Sequence, residues 1–253
     1  MFKLNLCEPR IIEIAGLAGI DAVWLCNEHV PNDWSMLENQ IRAAKLHDVD
    51  TIVRVSRGSY SDYIRPLEAD ATGIMVPHVA SAEEARQIVD WVRFHPVGRR
   101  PIDGGNADGC FAQLPVKEYL HHANHERIVI LQIESPEALE KVEEIAAVPG
   151  FDMLLFGGGD FSHRIGKAGA APAAELASAR RRVAAAAQKF GKYAASPGLP
   201  APLPELLAEG HRLFGLGADV VGLGEYFRNR IDRIKAAGNP LAGSPGRPTS
   251  EGE

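Results

Sequence analysis

The chain has 253 residues, 45% of them hydrophobic and 24% charged, with a formal net charge of −6. That balance belongs to an ordinary globular protein, long enough for one α/β barrel or two small domains, and it excludes wholesale disorder. The negative sign speaks against a general nucleic-acid or anionic-membrane surface, which needs a basic face.

The first residues, "MFKLNLCEPR", carry no long apolar segment of the signal-peptide kind and reach Glu8 and Pro9 early. No stretch approaches the roughly 18–20 apolar residues of a membrane span, so a soluble, cytoplasmic protein is expected. Strands are predicted at 2–6 (FKLNL), 22–25 (AVWL), 51–55 (TIVRV) and 73–77 (GIMVP). Four more follow at 128–133 (IVILQI), 153–157 (MLLFG), 193–196 (YAAS) and 220–224 (VVGLG). All are short and mostly apolar, as parallel strands covered on both faces are.

The intervals carry helix signals. Pro9 suits a first turn, and Ile11, Ile14, Ala15 and Ala18 then share one face before Gly19. Ser81 and Glu84 form the pattern of a capping box ahead of the stripe Ala85, Ile88, Val89 and Val92. Ser135 and Pro136 open a helix that Gly150 stops, and further helices are predicted over 180–189, 204–214 and 226–237. The irregular stretch 94–115 is too long for a plain connector and reads as a functional loop over one face. Residues 238–253, rich in Gly, Pro and Ser, read as a disordered tail. Eight strands, each followed by a helix, predict a single (β/α)8 TIM barrel over residues 1–237, with a doubly wound open sheet as the rival.

A barrel works at the carboxyl ends of its strands. Those ends hold Cys7; Asn27, Glu28 and His29; Arg54; Pro77 and His78; Gln132 and Glu134; and Asp160 after "FGGG". Two carboxylates from neighbouring strands, Glu134 and Asp160, can seat a hard divalent cation. The glycine amides of "GGGD" can cradle a carboxylate beside it, because no Cβ blocks the approach. Arg54 is a fixed positive fork for an oxyanion, and His29 has the intrinsic pKa of a base. Singly, each has a plain structural reading: a residue before a helix cap, the start of a turn, a rim ion pair, a loop histidine. Their joint arrival at four strand ends points to a site.

Other motifs carry less. "GNADG" (105–109) lacks both the first ligand and the closing glutamate of a calcium loop, and reads as a turn. His121, His122 and His125 share a short helix and read as solvated. In "GLGADVVGLG" (215–224) the glycines precede the predicted strand, which is not the dinucleotide fingerprint. Three cysteines without CxxC spacing argue against a disulfide framework or structural zinc.

The pieces "GIDAVWLCNEH" (19–29), "TIVRV" (51–55), "ATGIMVPHV" (71–79), "FHPVGRR" (94–100), "ILQIES" (130–135) and "LLFGGGDFS" (154–162) occur in a familiar order. With them the chain resembles the HpcH/HpaI aldolases, metal-dependent pyruvate aldolases of the phosphoenolpyruvate/pyruvate barrel superfamily. The resemblance implies a lyase that makes or breaks a carbon–carbon bond through the enolate of pyruvate, with an aldehyde as the second substrate. It implies Glu134 and Asp160 as ligands of Mg2+, Mn2+ or Co2+, and Arg54 at the keto oxygen. His29 would belong to the base dyad, Gln132 would be a site glutamine, and the Gly159 and Asp160 amides would bind the pyruvate carboxylate. It also implies a homo-oligomer, with hexamers common.

One departure stands out. The family's D-x-E-H stretch is here "CNEH", so Cys26 replaces the aspartate that orients the histidine. A thiol does this weakly, which slows the base step or leaves it to another group such as Glu28, and it permits an altered or lost reaction. Three further readings stay open: an acyl-CoA lyase of the malyl-CoA or citryl-CoA type, a thiol enzyme using Cys26 with His29, and a barrel kept for binding.

Overall fold

The computed structural model of the chain describes residues 1–237, and the expected tail at 238–253 lies outside the described residues. Among the described residues, eight strands form one sheet. They are β1 (Phe2–Lys3), β2 (Ala22–Cys26), β3 (Asp50–Arg54), β4 (Gly73–Val76), β5 (Ile128–Ile133), β6 (Met153–Phe156), β7 (Tyr193–Ser196) and β8 (His211–Phe214). Each pairs in parallel with the next. The Met1 ammonium donates to the Phe214 carbonyl (2.6 Å) and Lys3 N–H to that of Gly217 (3.0 Å), joining the last strand to the first. This is the expected (β/α)8 barrel.

Around it run α1 (Pro9–Leu17), α2 (Trp34–Lys45), α3 (Tyr60–Glu68), α4 (Ala82–Val92), α5 (Val116–His125) and α6 (Pro136–Glu140). Then come α7 (Val142–Ala146), α8 (Gly158–Arg164), α9 (Ala173–Lys189), α10 (Leu203–Ala208) and α11 (Asp219–Ala236). Local chemistry sets several of these ends. Pro9 opens α1 behind the Glu8 cap, and Ser135 accepts from Ala138 N–H (3.1 Å) with Pro136 next. Ser81 caps α4 by accepting from Glu84 N–H, but the Glu84 carboxylate turns to Ala80 N–H and Arg57, so the expected reciprocal box does not close.

Strand parity places the site. In β5, Val129, Leu131 and Ile133 pack outward on the helices, while Ile130 joins Trp24, Ile52, Met75 and Leu155 inside the barrel. Two residues further along these inward columns come Cys26, Arg54, Pro77, Gln132 and Gly157. A period of two therefore sends these side chains into the mouth, above the apolar floor.

Four expectations need correction. The eighth strand is His211–Phe214, and "VVGLG" lies in α11, which starts at Asp219. The helix expected over 204–214 is the short α10, so its last four residues are that strand. The single helix after Ser135 is broken at Lys141 into α6 and α7. The stretch 94–115 sits at the amino-terminal end of the barrel, away from the site. Arg93, which leads into it, bonds Arg127 O and Asp152 just before β5 and β6, and Arg100 within it pairs with buried Asp108 (2.8 Å).

Candidate metal centre and active site

Glu134, one residue beyond β5, is 3% exposed and is gripped from three sides. Gln132 Nε2 donates to its Oε1 (3.1 Å), and His78 N–H donates to its Oε2 (2.9 Å). On the third side Gly157 lies so close that a Cβ there would come within 2.3 Å of Oε1. Burial pushes the Glu134 carboxyl above the usual carboxylate range; the His78 amide and ring pull it back, and Asp160 and Glu28 push it further up. No lysine or arginine pairs with it among the described residues.

Asp160 is an exposed residue in the first turn of α8. Donor atoms of Glu134, Asp160 and His78 all lie within 4.8 Å of one another. The amides of Gly158, Gly159 and Asp160 open α8, and none finds a protein acceptor among the described residues. Two oxygen donors and a nitrogen, with a buried and uncompensated carboxylate among them, suit a divalent cation. Buried polar atoms left without partners point the same way. Gln132 Oε1 and His78 Nδ1 are both orphaned, a condition that costs about 1–3 kcal/mol per atom unless a ligand meets it.

Arg54 is 5% exposed, and its guanidinium lies over the Trp24 ring at 4.8 Å. Nε and Nη2 donate to Cys26 Sγ (3.4 and 3.2 Å), and Nε lies 3.0 Å from Glu28 Oε2. Nη1 has no acceptor among the described residues. The Cys26 thiol is therefore packed under Arg54, and only the backbone of His29 reaches it, by N–H (3.5 Å). His29 itself is 59% exposed at the side chain, with Nε2 3.5 Å from Glu28 Oε2. The thiol reading fails on this geometry, because the Cys26 thiol is buried and the nearby carboxylate belongs to Glu28.

The predicted residues His29, Arg54, Gln132, Glu134, Gly159 and Asp160 thus gather at one mouth. Sequence reasoning placed Glu28 and His78 on the rim without a firm role, yet they tie the site together. His78 lies 3.1 Å from Glu134 Oε2 through Nδ1 and 3.4 Å from Glu28 Oε1 through Nε2. Position at a strand end was their only signal, and it does not say which way a side chain turns.

Comparison with known proteins identifies the family. The sequence model of the HpcH/HpaI aldolase/citrate lyase family matches residues 1–221. The chain is 32% identical over 235 residues to a 5-keto-4-deoxy-D-glucarate aldolase of Klebsiella pneumoniae, covering 92% of this chain and 89% of that protein. It is 31% identical over 236 residues to a hydroxypyruvate/pyruvate aldolase of Delftia acidovorans, covering 92% and 86%. The crystal structure of an HpcH/HpaI aldolase from Desulfitobacterium hafniense superposes with a TM-score of 0.86 at 27% identity, over 96% of this chain and 94% of that one. On a family match spanning most of its length, the chain belongs to the HpcH/HpaI aldolase/citrate lyase family.

Proposed function

We propose that the protein is a divalent-metal-dependent 2-oxo-acid aldolase that cleaves or forms 4-hydroxy-2-oxo acids through a pyruvate enolate. The observation that carries this reading is the pair Glu134 and Asp160, paired with no lysine or arginine among the described residues, beside a buried Arg54 with a free N–H. The relatives named above are aldolases of 5-keto-4-deoxy-D-glucarate and of hydroxypyruvate/pyruvate, which supports the reading.

Glu134 and Asp160 would hold the cation, for which Mg2+, Mn2+ and Co2+ are all suitable. When bound, such an ion supplies Lewis acidity where the enolate charge develops. Arg54, fixed by Glu28, Cys26 and Trp24, donates Nη1 to the keto oxygen and stabilises the same charge. The amides of Gly159 and Asp160 bind the pyruvate carboxylate. Gln132 fixes Glu134 through Nε2 and keeps Oε1 for the substrate. His29, directly or through a water, moves the proton of the aldol hydroxyl, with Glu28 supplying the orienting carboxylate that Cys26 lacks. The bare apolar face of α11 supports a homo-oligomer in the same reading, with a hexamer the expected order and the cytoplasm the expected compartment.

Pyruvate release from a 4-hydroxy-2-oxo acid tests the reading. Chelation abolishes release, Mg2+ or Mn2+ restores it, Cys26→Ser keeps most of it, and Arg54→Ala costs about 10²–10³-fold in kcat. Release that survives chelation and disappears in Cys26→Ser would overturn the assignment.

A further inference from the structure

We infer that His78 is a third metal ligand, bound through Nδ1, and that it gives this site a preference for nitrogen-accepting divalent ions such as Mn2+ and Co2+ over Mg2+. The inference rests on the metal reading of Glu134 and Asp160 and goes beyond it.

Four observations meet at His78. Its backbone is left-handed, with φ +54°, a conformation that non-glycine residues seldom adopt. In extended backbone the residue after Pro77 would face away from the mouth, as strand parity dictates; the left-handed turn instead brings the ring to Glu134. Next, Nδ1 is buried and makes no hydrogen bond, although it lies 3.1 Å from Glu134 Oε2. Two donors on one ion, each about 2.1 Å from it and at right angles, sit about 3 Å apart. Third, the same cluster includes an oxygen of Asp160, within 4.8 Å of a ring nitrogen of His78.

The other ring nitrogen faces a carboxylate of its own. Nε2 is 3.4 Å from Glu28 Oε1. A proton held at Nε2 toward that carboxylate leaves the Nδ1 lone pair free, which is the arrangement by which a carboxylate orients a metal-binding imidazole. The rival role for His78, a hydrogen bond from Nδ1–H to Glu134, would satisfy Nδ1, and the geometry does not provide it. An all-oxygen site discriminates little among magnesium, manganese and cobalt, whereas an imidazole adds affinity along the order Mn2+, Fe2+, Co2+.

The test is spectroscopic as well as thermodynamic. In the Mn2+-loaded wild-type protein, pulsed electron paramagnetic resonance shows coupling to a directly bound imidazole nitrogen. The coupling is lost in His78→Asn and in His78→Gly, two residues that accept the left-handed backbone. Calorimetric titration shows Mn2+ and Co2+ affinity falling at least about tenfold in both variants, with Mg2+ affinity falling much less. Stoichiometric Mn2+ binding without nitrogen coupling in the wild type overturns this inference alone and leaves the two-carboxylate reading intact. Coupling that persists in both variants, or Mg2+ affinity that falls in step with Co2+, overturns it as well. Absence of any stoichiometric cation binding sinks both readings together. If neither variant folds, the wild-type spectrum decides.

Discussion

At the scale of the residue, the site depends on a carboxylate held still. Glu134 is fixed by Gln132, by the His78 amide and by the absence of a side chain at Gly157. A methyl group at position 157 has to displace Oε1 and Cγ, which lie 2.3 and 2.5 Å from where it would stand. Since both oxygens are already engaged, the carboxylate cannot swing without losing those bonds. Gly157→Ala is therefore expected to weaken Mn2+ binding by about 10–100-fold and to destabilise the fold by about 1–3 kcal/mol through overpacking. Calorimetry and denaturant unfolding measure the two effects, and wild-type affinity in the variant would show that Glu134 is not clamped. Much of this site was legible in the sequence, because Arg54 and Gln132 lie on inward columns of predictable parity and Glu134 and Asp160 follow strand ends. The contribution of His78 was not. Its direction depends on a left-handed backbone, and its partners Glu28 and Glu134 lie 50 and 56 residues away along the chain. Gly157 was hidden for a similar reason: the side chain that crowds it comes from the neighbouring strand.

At the scale of the element, seven of the strands were legible as short apolar runs, and the eighth was misread for a physical reason. "VVGLG" is β-branched and apolar, but Asp219 turns it into a helix start, accepting from Val220 N–H and from the amides of Asn5 and Leu6. The true strand, "HRLF", alternates: Leu213 joins the barrel interior and Arg212 is exposed. Four residues of mixed polarity give too weak a period to compete with a run of valines. Buried His211 in this strand leads to a prediction. Burial lowers its pKa below the ordinary 6.5, outweighing the Leu206 carbonyl and Glu209, which pull it up. Below pH 6.5 the unfolded chain then binds a proton that the folded chain refuses, so stability falls as the pH drops through that window. His211→Asn removes this titration. Urea unfolding at pH 7.5 and 5.5 is expected to show a smaller acid loss in the variant than in the wild type, and an equal loss would mean the ring charges freely in the fold.

At the scale of the whole molecule, the question is what α11 is for. In chain order it is the eighth helix of the barrel, yet only Asp219 of its 18 residues is buried. Val220, Leu223, Phe227, Ile231 and Ile234 recur at spacings of three and four, forming an apolar stripe about 20 Å long that is exposed throughout. Soluble proteins seldom leave such a stripe bare. The shell of the barrel shows a matching deficit, with Ile14 and Leu17 on α1 and Leu203 and Leu207 on α10 also exposed. These are the helices that flank the slot where an eighth helix normally packs against β8 and β1. A second copy of the chain carries both surfaces, so two chains can cover each other's slot with their α11 helices in a closed, symmetric exchange. Replacing Phe227 and Ile231 by glutamate is then expected to shift the particle to a lower mass by light scattering. The barrel would remain folded by far-ultraviolet circular dichroism, because neither side chain contributes to its core. A wild-type protein that runs as a monomer, or a double variant of unchanged mass, would show that the stripe is covered by something other than a copy of itself.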